Sequence, residues 1–286
     1  MYTDKNGRKW FKGNLHMHTT LSDGRKAPEE AARIYREKGY DFISITDHWE
    51  FYSGCEADGL TIISGCEFHT FNPQMTHIVG AGMEYMPQLD RNSSVQEIID
   101  AINAAGGAAI LAHPAWSLNT PEFIASLNGL AGAEIYNSVS GYPFSARPYS
   151  GTTLDLAAKA GCLLPLFASD DTHYYNEELF RGFIYVNAEE LTGKSILDAV
   201  KAGRFYATQG PVISEEKVFG GKYSVSADAE YIQFYSASFW NADTTARIGR
   251  REATAAEFVI KPQDSFVRAE VCDKSGLFAW TSPKKI

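Results

Sequence analysis

His16 and His18 stand two residues apart behind the short lead-in Gly13-Asn14-Leu15. On an extended strand, residues two apart face the same side, so both imidazoles point one way. Two imidazoles on one face near a strand's end make half of a metal site. Asp23 follows in Ser22-Asp23-Gly24, a turn that can curl its carboxylate back to the pair. The same chemistry recurs downstream. His48, Glu67, His113 and Asp171 each stand at or just past the end of an apolar run, with His77 and His173 near them. A lone strand-end histidine is more often structural. Six histidines together with Asp23, Glu67 and Asp171 reverse that expectation. Imidazole and carboxylate without thiolate suit Mn, Zn or Fe ions in a multinuclear site. Glu67 can bridge two of them. Nine ligands divide among three divalent ions and leave positions open for water and substrate.

The elements that must position these residues are legible from periodicity. Apolar runs at Leu15–His18, Asp41–His48, Leu60–Glu67, Thr76–Gly80, Ala108–Pro114, Ala133–Asn137, Leu163–Ala168 and Gly182–Val186 read as strands. Between most of them lie helical stretches: from Ala27 to Gly39, Ser93–Ala105, Pro121–Leu127, Thr152–Ala160 and Leu191–Ala202. The linker between His48 and Leu60 is too short for a full helix. Alternation at this spacing predicts parallel β/α units closed into a barrel, whose sites form at the C-terminal ends of the strands. After Gln209-Gly210-Pro211 the helical period disappears. Short alternating runs with polar turns predict a small antiparallel β-sandwich over 212–286, following a domain over 1–211.

The ordered motif set is specific. His16-x-His18 with Ser22-Asp23-Gly24, Thr46-Asp47-His48, Gly65-Cys66-Glu67, Ala112-His113-Pro114 and Asp171-Thr172-His173 resembles the polymerase and histidinol phosphatase (PHP) superfamily over roughly residues 10–205. Phe205–Pro211 and Ala279–Pro283 resemble the bracket of the small β domain in bacterial two-domain members. The resemblance implies a distorted (β/α)7 barrel with a trinuclear site and phosphoester hydrolysis. Carried over by motif position, it implies that His16, His18, Glu67 and Asp171 bind one ion. Glu67, His77 and His113 would bind a second, and Asp23, His48 and His173 the third. Asp23 stands where some members have histidine. Asp170 adjoins Asp171, and the Asp-x-His spacing favours Asp171.

A phosphate ester at such ions would be attacked by metal-activated water. Asp171 and His173 are candidate catalytic residues, with His69 as a candidate acid for the leaving group. Arg147, in a loop with Tyr142, Phe144 and Tyr149, is a candidate phosphate clamp beside a base-stacking surface. Arg181 is a second arginine that could reach the site. Asp47 is expected to orient His48 or cap a turn. Trp49, Trp116 and Tyr136 are expected in the pocket wall or the core.

A net charge of -9 argues against broad electrostatic binding to nucleic acid or anionic membrane. It leaves room for a small phosphorylated substrate, a nucleotide or a short oligonucleotide, because divalent cations invert the local field. Rival readings are a 5'-3' exonuclease-type nuclease on short oligonucleotides and a non-catalytic binding protein whose metals are structural. An amidohydrolase-type reaction often uses a carbamylated strand lysine, and the metal-motif strands carry none. Cys55, Cys66, Cys162 and Cys272 form no CxxC pair, and Cys66 and Cys162 read as buried free thiols. No run approaches the roughly 20 apolar residues of a membrane span. The polar start Met1–Asn6 lacks a leader's apolar core, so the expected location is cytoplasmic.

Overall fold

A computed structural model describes residues 1–237, 245–246 and 255–286. It is an α/β protein. The strands that position the site are β1 (Lys9–Asn14), β2 (Phe42–Ser44), β3 (Leu60–Ile63), β4 (Gly65–Thr70), β5 (Thr76–Ala81), β6 (Ala108–Leu111), β7 (Gly132–Asn137) and β8 (Leu166–Ser169). Then come β9 (Phe183–Asn187) and β10 (Phe205–Thr208). The helices are α1 (Pro28–Glu37), α2 (Val95–Ala104), α3 (Pro114–Ser117), α4 (Pro121–Ser126), α5 (Gly151–Lys159) and α6 (Gly193–Lys201).

Local chemistry explains the longer helices. Pro28 opens α1 with a preset φ, and Glu29 and Glu30 meet the positive end of its dipole. Its buried Ala31, Ala32 and Tyr35 form one stripe against the sheet. Ser94 caps α2 with a capping box. Its hydroxyl accepts from the Glu97 N–H, and the Glu97 carboxylate accepts from the Ser94 N–H at 2.7 Å. Val95, Ile98, Ile99 and Ile102 bury the face behind that cap.

The sheets are mixed, which corrects the expectation of uniformly parallel β/α units. β1–β2, β2–β3, β6–β7 and β7–β8 pair in parallel. The pairs β4–β5, β5–β6, β1–β9 and β9–β10 are antiparallel. Residues 71–75 explain the first exception: they are too few for a crossover, so β5 returns as a hairpin. The single strand expected over Leu60–Glu67 is also divided. β3 lies in the sheet of β1 and β2, whereas β4 starts the sheet β8-β7-β6-β5-β4. Gly65 sits where the two sheets converge. A Cβ there would fall 2.6 Å from the Ile45 carbonyl, so no larger residue fits without movement.

The two sheets meet along a hydrogen-bonded seam just past the strand ends. Met17 bridges Thr172, and His48 bridges Glu67. Asp171 N–H donates to His16 O (3.0 Å), His18 N–H to Thr172 O (3.0 Å), and Trp49 N–H to Glu67 O (2.9 Å).

Past residue 211 the strands are β11 (Ile213–Phe219), β12 (Lys222–Ala227), β13 (Tyr231–Ser236), β14 (Ala256–Val259), β15 (Phe266–Cys272) and β16 (Phe278–Trp280). β11, β12 and β14 form one antiparallel sheet. β13, β15 and β16 pair antiparallel in a second, which continues through β16 onto β10 with Ala207 opposite Trp280. Tyr223, Val225 and Phe258 of the one pack with Ile232, Phe234, Val267 and Val271 of the other. Trp280 is buried in the core of the first region beside Leu154 and Leu166. The stretches Phe205–Pro211 and Ala279–Pro283, noted as a bracket in the sequence, are thus neighbours in one sheet. No helix among the described residues is long and apolar enough to cross a membrane.

Candidate metal centre

β1 runs out at Asn14, and the chain continues extended into His16 and His18, both buried. Their Nε2 atoms lie 3.3 Å apart, as the two-residue spacing requires. Glu67, in the middle of β4, faces five imidazoles. Its Oε1 is 3.2 Å from His16 Nε2, 2.9 Å from His77 Nδ1 and 3.6 Å from His113 Nε2. Its Oε2 is 3.2 Å from His18 Nε2 and 2.9 Å from His48 Nδ1. Asp171 enters from the end of β8, with Oδ1 3.2 Å from His16 Nε2 and 3.1 Å from His18 Nε2. Asp171 (φ 51), His113 (φ 28) and Trp49 (φ 57) all hold left-handed backbone. Such conformations cost non-glycine residues energy and cluster where side-chain aim matters more than local comfort.

At the mouth, Asp23 Oδ1 is 3.5 Å from both His18 Nδ1 and His173 Nε2, and its Oδ2 is 3.8 Å from His48 Nε2. The donor atoms fall into three groups, each within 4.8 Å: His16-His18-Asp171, His48-Glu67-His77 and His18-Asp23-His48-His173. The division carried over from motif positions differs from this geometry in three ways, the first being that Glu67 belongs to one group rather than bridging two. His18 and His48 are each shared by two groups, and His113 stands slightly apart, 3.6 Å from Glu67 and 3.8 Å from Asp171.

The cluster has the character of a cation site. His48 Nδ1, Glu67 Oε2, His77 Nε2 and Asp171 Oδ1 are buried and make no hydrogen bond. His48 Nδ1 and Glu67 Oε2 lie 2.9 Å apart yet form no hydrogen bond. Buried polar atoms left this way are costly unless something else satisfies them. Divalent cations fit that donor set.

Behind the cluster stands a layer that fixes ring orientation. Glu134 Oε1 is 2.8 Å from His16 Nδ1, and Glu134 Oε2 accepts the His113 N–H at 2.8 Å. Asn137 donates to Glu134 Oε2 (2.8 Å) and Asp171 Oδ2 (3.0 Å). His173 Nδ1 is 2.8 Å from the Asp171 carbonyl, which can only accept, so Nε2 is left without a proton facing the cleft. Glu134 and Asn137 were missed in the sequence. A glutamate inside the apolar run Ala133-Glu134-Ile135 was the available signal. Asp47 caps the 19–24 turn, accepting from the N–H groups of Thr19 (2.8 Å) and Ser22 (3.0 Å). Asp170 faces away from the cluster and accepts N–H bonds from Phe180, Arg181 and Gly182. Burial is the main cause that lifts its carboxyl to about 6.

Electrostatics follow from burying bases among acids. Burial disfavours a charged His16, but Asp171, Glu67 and Glu134 outweigh it and hold the ring well above its ordinary value. The same contest lifts His18 to about 9, through Asp171 and Glu67. Glu67 and Asp171 are buried too, and the surrounding imidazoles hold both well below the usual carboxylate range.

His69 lies beside the cluster, its ring 5.1 Å from His48 and 5.4 Å from His77. Burial, then His77 and His48, push it down to about 4, so near neutral pH its ring is uncharged. Arg147 is exposed and lies outside the cleft, because the loop turns its preceding residues inward. Val139, Ser140, Phe144 and Ser145 form one wall of a cleft of about 310 Å³ over the cluster, with Trp116 and Tyr174. The rings of Phe144 and Tyr174 stack at 4.3 Å, and the Arg25 guanidinium lies 4.7 Å over Tyr174. Arg181 is exposed and not in the wall. Tyr136 stacks on Trp280 (5.7 Å), and Trp49 packs edge-on to Phe68 (5.1 Å).

Comparison with known proteins gives the same direction. The family model of the PHP domain matches residues 14–106. The DNA polymerase/3'-5' exonuclease PolX of Bacillus subtilis is 46% identical over 51 residues, which cover 18% of this chain and 9% of that protein. An uncharacterised protein of Methanocaldococcus jannaschii is 26% identical over 121 residues, covering 36% of this chain and 68% of that one. The crystal structure of a two-domain protein from Bacteroides vulgatus, containing a predicted PHP-like metal-dependent phosphoesterase, aligns over 99% of this chain and 97% of its own. Its TM-score is 0.58 at 17% identity, a likeness of fold. Motifs in family order and the family match over residues 14–106 mark this part of the chain as PHP-like.

Proposed function

We propose that this chain is a metal-dependent phosphoesterase that hydrolyses a small phosphorylated substrate at a site for three divalent ions. The observation that carries this reading is Glu67, one buried carboxylate facing five imidazoles while Asp171 closes the same pocket. His16, His18 and Asp171 would hold one ion, His48, Glu67 and His77 a second, and His18, Asp23, His48 and His173 a third. His113 is the remaining ligand candidate, within reach of the first two. When bound, Mn, Zn or Fe ions supply charge to neutralise the phosphate and acidify a water for attack.

The chain's own residues do the rest. Glu134 and Asn137 orient His16 and Asp171, so the donors are preset before substrate arrives. His173 Nδ1 is held on the Asp171 carbonyl, so its unprotonated Nε2 faces Asp23 at the mouth, where the third ion would sit. Trp116 and the Phe144–Tyr174 pair line the cleft and offer planar surfaces to a leaving group. Those rings favour a nucleotide, or the end of a short oligonucleotide, over a bare sugar phosphate. The ring of strands supporting the site, β1, β2 and β4 to β8 closed by the Met17–Thr172 and His48–Glu67 bridges, supports reading it as an irregular barrel. All four cysteines are free thiols, which supports a reducing, cytoplasmic setting.

The test is phosphate or nucleotide release from mononucleotides, bisphosphates, sugar phosphates and short oligonucleotides. Metal-loaded protein should turn over at least one class, and chelator should abolish it. A metal-loaded protein inert toward all of them would overturn the reading.

A further inference from the structure

The cleft wall over 139–145 is tied from behind to the far end of the chain. Residues 137–150 leave β7 and return to it: Asn137 N–H donates to Pro148 O (2.9 Å), and Ser150 N–H to Ile135 O (2.8 Å). Tyr149, at the return, donates its hydroxyl to Glu270 of β15. Glu270 also accepts from Arg268 Nη1 (2.7 Å) and from the Tyr235 hydroxyl (3.1 Å). Arg268 is 1% exposed and forks onto Asp155 of α5 through Nε (2.5 Å) and Nη2 (2.7 Å). Its guanidinium lies 4.1 Å over the Tyr235 ring. Gly151 leaves room for the Tyr149 ring, since a Cβ there would fall 2.1 Å from the hydroxyl oxygen. Ser150 accepts the Ala115 N–H at 3.1 Å, beside Trp116, which also lines the cleft.

A buried guanidinium needs paired and hydrogen-bonded partners to be tolerated, and apolar side chains would seal this interface at less cost. What the fork adds is geometry. Its two N–H groups on Asp155, with the Tyr149–Glu270 hydrogen bond, set the distance between β15 and the root of the cleft loop. None of these four side chains touches a histidine of the cluster.

We propose that Tyr149, Glu270, Arg268 and Asp155 are positioning residues through which the C-terminal strands hold the 139–145 wall at substrate-binding distance. The substrate part rests on the phosphoesterase reading; the tether does not. Tyr149→Phe keeps the ring and removes one hydroxyl, and Glu270→Gln weakens the same contact from the other side. With manganese-loaded protein and p-nitrophenyl phosphate, Tyr149→Phe should raise KM about tenfold, the worth of one charge-assisted hydrogen bond. Its kcat should stay within about twofold, because the contact belongs to binding rather than to the reacting atoms. In hydrogen exchange, the Val139, Gly141 and Arg147 amides should open faster, while those of His18 and Asp171 and the metal count stay as in wild type. Wild-type KM and wild-type loop exchange in folded Tyr149→Phe would overturn the proposal. So would faster exchange that spreads equally to His18 and Asp171, which would mark a merely structural tie. If wild-type protein hydrolyses nothing, the phosphoesterase reading fails, and the exchange arm still decides the tether.

Discussion

Glu67 and His18 are the residues on which the cluster turns, and they behave differently from Asp23. His18 belongs to two donor groups and is buried, whereas the Asp23 side chain is 53% exposed and belongs to one. Metal analysis should therefore find Asp23→Ala short of at most one ion, and His18→Ala short of more. Equal losses would contradict the grouping. Proton linkage gives a second prediction. A histidine raised in the folded state stabilises below its unfolded value and loses that contribution as pH rises through the folded one. For His18 the window runs from its ordinary 6.5 to about 9. Metal-stripped protein should thus lose stability across it, on the order of 3 kcal/mol at most. Thermal melts in chelator, with melting temperature falling over that range, check this. Metal binding in the same range should release protons, because the ligands must be deprotonated. The liganding residue types were legible in sequence because they are unusual at strand ends. Glu134 was not, because its signal is one charged letter in an apolar run whose partner, His16, is 118 residues away.

At the scale of elements, helices followed local rules and strands followed tertiary ones. The α2 capping box is contained in Ser94-Val95-Gln96-Glu97, so its start could be read directly. Replacing Ser94 with Ala should cost about 1 kcal/mol. Circular-dichroism melts should show that as a fall of about 2–4 °C, with metal content unchanged. Strand direction is not a local property. Residues 71–75 were short enough to betray the β4–β5 hairpin, yet the antiparallel pairing of β9 with both neighbours depends on where the returning chain docks. The break at Ser64 was hidden for a related reason, since Leu60–Cys66 reads as one mostly apolar, strand-like run and only Ser64-Gly65 marks the crossing between sheets.

For the whole molecule, the change of texture at residue 211 was legible and its meaning was not. Alternation reported antiparallel strands beyond that point, while the pairing of β10 with β16 gives the first sheet a continuation made of late residues. Trp280 is the side chain on which that continuity rests, stacked on Tyr136 and Phe278 within the first region's core. Trp280→Ala should destabilise by about 3–5 kcal/mol through the cavity it leaves. Because the tryptophan joins both regions, calorimetry should show the loss in the main transition rather than in a separate small one.

Whether Glu67 organises a catalytic metal cluster is decided by the metal content and phosphoester turnover of Glu67→Gln, measured on the same preparation beside wild type. The substitution keeps size and removes the charge that faces five imidazoles. Glu67→Gln should lose at least one ion per chain and have turnover reduced about a thousandfold or more, as expected when charge stabilisation at the reacting centre is removed. A folded Glu67→Gln protein with the wild-type complement of metal and wild-type turnover would contradict that role for Glu67.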